Sequence, residues 1–242
     1  MNAAAEIRTL VQLLKGQPRK GSHIDRLDSF YAPQADTYDT FRERLLRGRE
    51  QLIDLLAPPQ GARVVELGCG TGRNIEFFGD RIESLAQLEL VDVCRPLLDQ
   101  ARRRAARWPR VVRVIEADIE RYRPAHPVDC VYLSYSLSMT ADWNRTLHNA
   151  VRMLRPGGTL GVVDFYVSEA TPPAGEARHS WISRQFWPRW FAHDGVRLTP
   201  EHLRALTVCT DKIHLEQHLA PVPWLPLLRV PYYFYVGRKR KY

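Results

Sequence analysis

Val64-Val65-Glu66-Leu67-Gly68-Cys69-Gly70-Thr71-Gly72-Arg73-Asn74 decides the fold of this chain. It opens as a short apolar run, breaks into glycines at alternate positions, and becomes helix-compatible from Arg73 to Phe78. That order reads as strand, tight turn and helix start. Glycine suits a backbone that must take unusual angles or lie flat against a ligand. The first N–H groups of the following helix lack intrahelical partners and point at the same spot. The turn therefore offers bare main chain to a polar ligand.

The pattern is E-x-G-x-G-x-G, unlike the G-x-G-x-x-G that brings a pyrophosphate onto a helix. Glu66 closes the strand, where an acid suits a cationic ligand group and repels a pyrophosphate. A second apolar run, Leu85 to Val91, ends in Asp92, placed to accept both hydroxyls of a ribose. A third run, Val111 to Ile115, leads to Asp118-Ile119, an acid for an adenine amino group beside an apolar cover for the ring.

With Leu154-Arg155-Pro156-Gly157-Gly158 added, these motifs resemble class I S-adenosylmethionine-dependent methyltransferases over roughly residues 60 to 165. The resemblance implies a Rossmann-like α/β fold: a seven-stranded, doubly wound sheet with strand 7 antiparallel. It implies S-adenosyl-L-methionine as cofactor, lined by Glu66, Gly68, Cys69, Gly70, Thr71, Gly72, Asn74, Asp92, Val93, Asp118, Ile119 and Ser134. It also implies an N-terminal helical lid within residues 1–58, with residues 59–242 as the methyltransferase domain. In the lid, Tyr31 and Tyr38 would line the donor-methyl site and Arg47 would hold the methionine carboxylate.

The rest of the chain narrows the acceptor. At 242 residues there is room for one domain with extensions, and the net charge of +8 favours an anionic partner, nucleic acid or an acidic membrane face. No run is long and apolar enough to span a bilayer, and no signal peptide is evident. Cys69, Cys94, Cys130 and Cys209 show no metal or C-x-x-C spacing and read as thiols in a reducing compartment, with no metal expected. Residues 1–15 place Ile7, Leu10, Val11 and Leu14 at helical spacing, either a membrane-surface helix or one packed on the domain. Arg102, Arg103, Arg104 and Arg107 oppose Leu97, Leu98, Ala101 and Ala105 on one helix and read as a solvated face. Asp142 reads as a helix cap.

Strand 4, Val128 to Ser134, exits into Ser134-Tyr135-Ser136, where open α/β sheets place their ligands. Methyltransferases acting on base amino groups tend to carry Asn/Asp-Pro-Pro-aromatic here, so Ser-Tyr-Ser-Leu makes nucleic acid an unlikely substrate. Tyr31, Tyr38, Ser134 and Tyr135 are the candidates for orienting an acceptor.

Three further stretches lie outside the cofactor core. They are Tyr38-Asp39-x-Phe41-Arg42-x-Arg44-Leu45-Leu46-x-Gly48-Arg49, Arg184-x-Phe186-Trp187-x-x-Trp190-Phe191-x-His193-Asp194, and Pro221-x-Pro223-x-x-Pro226-x-Leu228-Arg229-x-Pro231-Tyr232-Tyr233. Together they resemble the N-methyltransferase of betaine-lipid synthesis. That resemblance implies trimethylation of the amine of diacylglyceryl-homoserine to diacylglyceryl-trimethylhomoserine. It makes residues 176–200 and 219–231 substrate segments, with Ser136, Trp181, Arg184, Trp187 and Arg229 as substrate contacts. It also implies a peripheral place on the cytoplasmic side of the inner membrane and a partner enzyme that makes the precursor. Other readings stay open: a methyltransferase of another lipid amine, a quinone or a soluble small molecule, or a non-catalytic RNA-binding or structural protein on the same fold. The intact Glu66, Gly68, Gly70, Gly72 and Asp92 argue against the last.

Overall fold

The computed structural model describes residues 45–223 and 225–241. Tyr31, Tyr38, the helix expected at residues 1–15 and most of the expected lid lie outside the described residues. The strands are β1 (Arg63–Leu67), β2 (Gln87–Asp92), β3 (Val112–Glu116), β4 (Val128–Ser134), β5 (Leu154–Phe165), β6 (Asp211–Val222) and β7 (Leu225–Arg238). The helices are α1 (Arg49–Leu56), α2 (Arg95–Ala105), α3 (Trp143–Met153), α4 (Trp181–Ala192) and α5 (Glu201–Cys209).

The seven strands lie in the order β3-β2-β1-β4-β5-β7-β6. Strands β1 to β5 pair in parallel, and β7 runs antiparallel to both β5 and β6. This is the seven-stranded α/β sheet with antiparallel strand 7 that the resemblance implies. The inner strands are apolar at nearly every position because both faces are covered. One face carries α1, α2 and α4, with Leu52, Ile53, Leu98, Trp187 and Phe191 packed on Val64 and Tyr132. The other carries α3 and α5, with Leu147, Ala150, Leu203 and Leu206 packed on Val65, Val131 and Tyr235.

Local chemistry sets the boundaries. Pro58-Pro59 follows α1, and Pro96 sits in the first turn of α2, where its missing N–H costs nothing. Asp142 caps α3 by accepting the Arg145 N–H at 3.0 Å, as its position predicts. After the glycine turn, Arg73–Ser84 forms 3-10 turns broken at Gly79 (φ 53°, ψ −139°), not one continuous helix.

The C-terminal strands run further than proline-rich sequence ordinarily allows: β6 and β7 form a hairpin of 12 and 14 residues. Proline normally argues against a strand because it cannot donate to the ladder. Here β6 is the sheet edge, and the β5 pairing of β7 stops at Tyr232. Residues 229–231 of β7 therefore pair with β6 and keep a side that needs no N–H donor, so Pro231 fits, and Pro226 falls in the interval 226–228 where the register with β6 breaks. Among the described residues no helix is long and apolar enough to cross a membrane. The four cysteines are unpaired, three of them buried.

His202, in α5, is fully buried, and neither ring nitrogen has a hydrogen-bond partner. Its ring meets Trp143 edge-on at 4.9 Å. Burial pushes its pKa down to about 4 from the ordinary 6.5. The unfolded chain therefore takes up this proton first, and stability is lost as pH falls through that window, by about 1.4 kcal/mol per unit. The raised carboxyls of Glu66 and Asp164 act in the opposite sense, their contribution being lost as pH rises toward 7. A His202→Phe variant isolates the histidine. In urea titrations it should gain on the parent chain steadily between pH 6.5 and 4; parallel curves would exclude this role.

Candidate active site

The turn after β1 holds three glycines with left-handed backbone, φ 76° at Gly68, 53° at Gly70 and 68° at Gly72. Their surroundings differ. A Cβ on Gly68 would fall 2.3 Å from the Ser136 Cβ, and one on Gly72 would fall 3.2 Å from both Ala101 and Leu90. At Gly70 the nearest atom is Leu97 Cδ1 at 3.8 Å. Gly68 and Gly72 are thus required by packing, whereas Gly70 leaves clear space beside the main chain.

Neighbouring strands brace this turn. The Gly68 and Cys69 N–H groups donate to the Val91 carbonyl at 2.8 and 3.1 Å. Gly70 N–H donates to Asp92 Oδ2 at 2.8 Å, while Asp92 Oδ1 accepts Val93 N–H at 2.7 Å and Cys94 N–H at 2.9 Å. Asp92 is half-buried, so its carboxylate is positioned yet reachable. The β3 exit joins the same corner through Ala117 N–H to the Asp92 carbonyl at 2.9 Å. Beyond it Asp118 is exposed and accepts Glu120 N–H at 2.9 Å, with Ile119 half-buried beside it. The turn, Asp92 and the Asp118-Ile119 loop therefore gather at one end of the sheet.

Glu66 is buried beneath the turn, 1% exposed. It accepts the Tyr132 hydroxyl at 2.8 Å and Asn74 Nδ2 at 2.7 Å. Burial pushes its pKa up to about 7, against the pull of Tyr132, Asn74 and the Arg49 charge. An acid poised near neutrality is sensitive to any cation brought beside it. Thr71 is buried, and its carbonyl accepts Arg104 Nη1 at 2.6 Å while Arg104 Nε donates to Glu76 at 2.9 Å. Arg104 had been read with a solvated face; the structure corrects this, because helix packing turns it back onto the glycine turn.

At the β4 exit, Ser134 Oγ is buried and has no partner. Its neighbours have structural tasks. Tyr135 takes a left-handed φ of 55°, packs on Phe165 at 4.6 Å, and donates its hydroxyl to the Arg47 carbonyl at 2.6 Å. Ser136 Oγ donates to the Leu67 carbonyl at 2.6 Å, tucked against Gly68. Both hydroxyls, expected to face the reacting groups, instead clamp main chain. The Arg47 side chain is exposed.

The expected substrate residues separate. Trp181 is 68% exposed on α4, whereas Trp187 is 3% exposed and enclosed by Phe186 and Phe191 at 4.9 and 5.8 Å. Trp187 is therefore core. Arg184 is half-buried with an unpartnered Nε, and Arg229 is exposed on β7. Sequence reasoning gave no role to Tyr132 or Asp164. Asp164 is fully buried, its pKa pushed up to about 6 by burial, and it accepts Ser138 N–H at 2.9 Å, Ser138 Oγ at 2.7 Å and Phe165 N–H at 2.8 Å. An acid inside the apolar run Leu160 to Phe165 was its visible signal.

These residues fit a sulfonium nucleoside. Gly70 leaves main chain uncovered, Asp92 presents a fixed carboxylate, Glu66 lies below, and the orphan Ser134 hydroxyl waits at the β4 exit. Comparison with known proteins agrees. Residues 64–158 match the model of a family described as methyltransferase domain. A demethylmenaquinone methyltransferase of Thermus thermophilus is 29% identical over 60% of this chain and 63% of its own length. A trans-aconitate 2-methyltransferase of Klebsiella pneumoniae is 34% identical over 52% of this chain and 47% of its own. The chain thus spans about half to three-fifths of these curated relatives. In architecture it is similar to the N-methyltransferase NodS of Bradyrhizobium japonicum, solved with S-adenosyl-L-homocysteine, at TM-score 0.64 and 18% identity over 90% of this chain and 99% of that one. Residues 64–158 thus match a methyltransferase domain, and the sheet that carries them is similar in architecture to that of a methyltransferase.

Proposed function

We propose that this chain is an S-adenosylmethionine-dependent N-methyltransferase acting on a lipid amine, with the homoserine headgroup of diacylglyceryl-homoserine as acceptor. The observation that carries the donor half is the open face of Gly70, with Asp92 bonded to the same turn. When bound, S-adenosylmethionine supplies an electrophilic methyl group on a cationic sulfur. The chain's own task is to orient a neutral amine and keep water out. An amine of pKa about 10 is mostly protonated at neutral pH, so a proton must leave before each transfer. On this reading Ser134, whose buried hydroxyl is left without a partner, orients it, and Tyr31 and Tyr38 are the candidates outside the described residues.

The lipid half rests on the sequence stretches outside the core and on the surface they form. Trp181 and Ile182, 68% and 70% exposed, start α4 beside exposed Arg178, with Arg189 further along the same helix. Leu219 and Leu225, 51% and 39% exposed, lie on the β6–β7 hairpin. Exposed apolar side chains among arginines suit an anionic membrane face, each nearby cation adding about 1 kcal/mol. On this reading the protein sits peripherally on the cytoplasmic side of the inner membrane and receives its substrate from the enzyme that makes the precursor. Nucleic acid has no part in it. The relatives favour a second reading, methylation of a quinone or a soluble acid.

Lipid mass spectrometry of a host supplied with diacylglyceryl-homoserine separates the two. Expression should yield the trimethylated lipid, and Gly70→Val should not; an unchanged lipid profile with the active chain would favour the second reading.

The glycines differ in what they cost. Gly68→Ala should destabilise the chain by roughly 1–3 kcal/mol through its clash with Ser136. Gly70→Val meets no clash but sets a β-branched residue at φ 53°, a strain of roughly 1–3 kcal/mol, and the affinity of the folded variant for S-adenosylmethionine, measured by calorimetry, should fall by at least about tenfold. A folded Gly70→Val that binds normally would remove the proposed cofactor position.

Glu66 adds a proton signature. A cation beside it favours its charged form, so binding should release a proton between pH 6 and 7. Calorimetry in buffers of different ionisation enthalpy should show this release, and Glu66→Gln should abolish it. Equal release in both chains would place the cation elsewhere.

A further inference from the structure

The α3/α5 side of the sheet holds a cavity of about 270 Å³ apart from the glycine turn. Its walls include Tyr166, Glu169, Pro173 and Glu176 from the segment after β5, Arg204 from α5 and Gln217 from β6. None of its lining residues belongs to the glycine turn, to Asp92 or to the β4 exit.

Tyr166 is 1% exposed, and its hydroxyl has no hydrogen-bond partner. Its ring is held between Tyr233 at 5.3 Å and His179 at 4.9 Å, both edge-on. The Gln217 side-chain amide lies beside it, its carbonyl oxygen accepting Ala177 N–H at 2.7 Å. A buried hydroxyl left unpaired is costly and calls for an explanation, which a ligand supplies.

Charge shows which ligand. Glu169 and Glu176 are half-buried on this cavity, and the Glu176 charge bears on the Tyr166 hydroxyl. Among the described residues no salt bridge neutralises either acid. Two carboxylates and one phenolic oxygen give one accepting group for each of the three N–H donors of a primary ammonium group. Proline and leucine in the walls suit a short alkyl chain behind it, and exposed Arg204 at the rim suits an acidic group at its far end.

We propose that this cavity binds the primary ammonium group of a small aliphatic amine or amino acid, held by Glu169, Glu176 and the Tyr166 oxygen. The site is independent of methyl transfer and of the acceptor named above.

Thermal-shift and calorimetric titrations of the full chain with n-butylamine, 4-aminobutyrate and butyrate test it. The two amines should bind saturably, 4-aminobutyrate the tighter because of Arg204, and butyrate should not bind. Glu169→Gln with Glu176→Gln should weaken amine binding by at least about tenfold while S-adenosylmethionine binding stays unchanged. Tyr166→Phe, which keeps the ring and its packing, should weaken it several-fold and serves if the double variant does not fold. The proposal is overturned if butyrate binds as well as the amines, if the variants bind like the parent, or if no saturable binding appears at concentrations on the order of 50 mM.

Discussion

The site depends on one close approach, that of Ser136 to Gly68. Their separation leaves no room for a Cβ on residue 68, and the Ser136 hydroxyl closes the contact by bonding the last carbonyl of β1. This ties the exits of β1 and β4 together. With the turn pinned on that side, its other side meets β2, where Gly70 N–H reaches Asp92. The remaining corner is closed by Gly72, packed against Ala101 of α2. What stays uncovered is a short length of main chain at Gly70. The ligand surface is therefore a remainder, the part of the turn that three packing contacts do not use.

Two buried carboxylates support this arrangement from below. A carboxylate taken out of water is costly unless well bonded, and both are bonded. Glu66 spans the turn and β4 through Asn74 and Tyr132, and Asp164 holds the loop after β4 through Ser138. Both have pKa values raised toward neutrality because burial outweighs the hydrogen bonds that favour their charge. Their difference is in position. Glu66 lies under the ligand turn, where a cationic ligand can draw it into the charged form. Asp164 is fully committed to main chain and to one serine, which suits an anchor that must not change.

Legibility in the sequence followed how local each feature is. The turn, the strand-end acids and the Asp142 cap were readable because a glycine spacing, an apolar run ending in Asp and a capping residue each act within a few residues. Tyr132 and Arg104 were not, since each matters only through a partner far along the chain: Tyr132 faces Glu66 across paired strands, and Arg104 reaches Thr71 from the next helix. Ser136 and Tyr135 were placed at the right exit, but their direction depends on the left-handed backbone at Tyr135, which no residue type announced. The aromatic segment divides for the same reason. Trp181 and Trp187 lie on one helix, and only the tertiary contact with Phe191 and the sheet shows which of them is core. The length of the β6–β7 hairpin was not readable, because prolines argue against strands unless the strand has a free edge, and free edges are a property of topology.

That hairpin also carries the sheet beyond the end of its parallel strands. The parallel strands β1 to β4 end at the glycine turn and its acids, a region set by close backbone contacts that tolerate little change. Strands β6 and β7 run on past the carboxyl end of β5, the end of the sheet that bears the glycine turn, and carry exposed Leu219, Leu225 and Arg229 there. Alternation of side chains along the β5–β7 pair separates the two faces. Phe165 and Phe234 face α1 and α4, whereas Tyr166, Tyr233 and Tyr235 face α3 and α5. Residues one step apart thus open onto different faces, and the tyrosines on the far face can be varied without touching the packing that shapes the Gly70 turn.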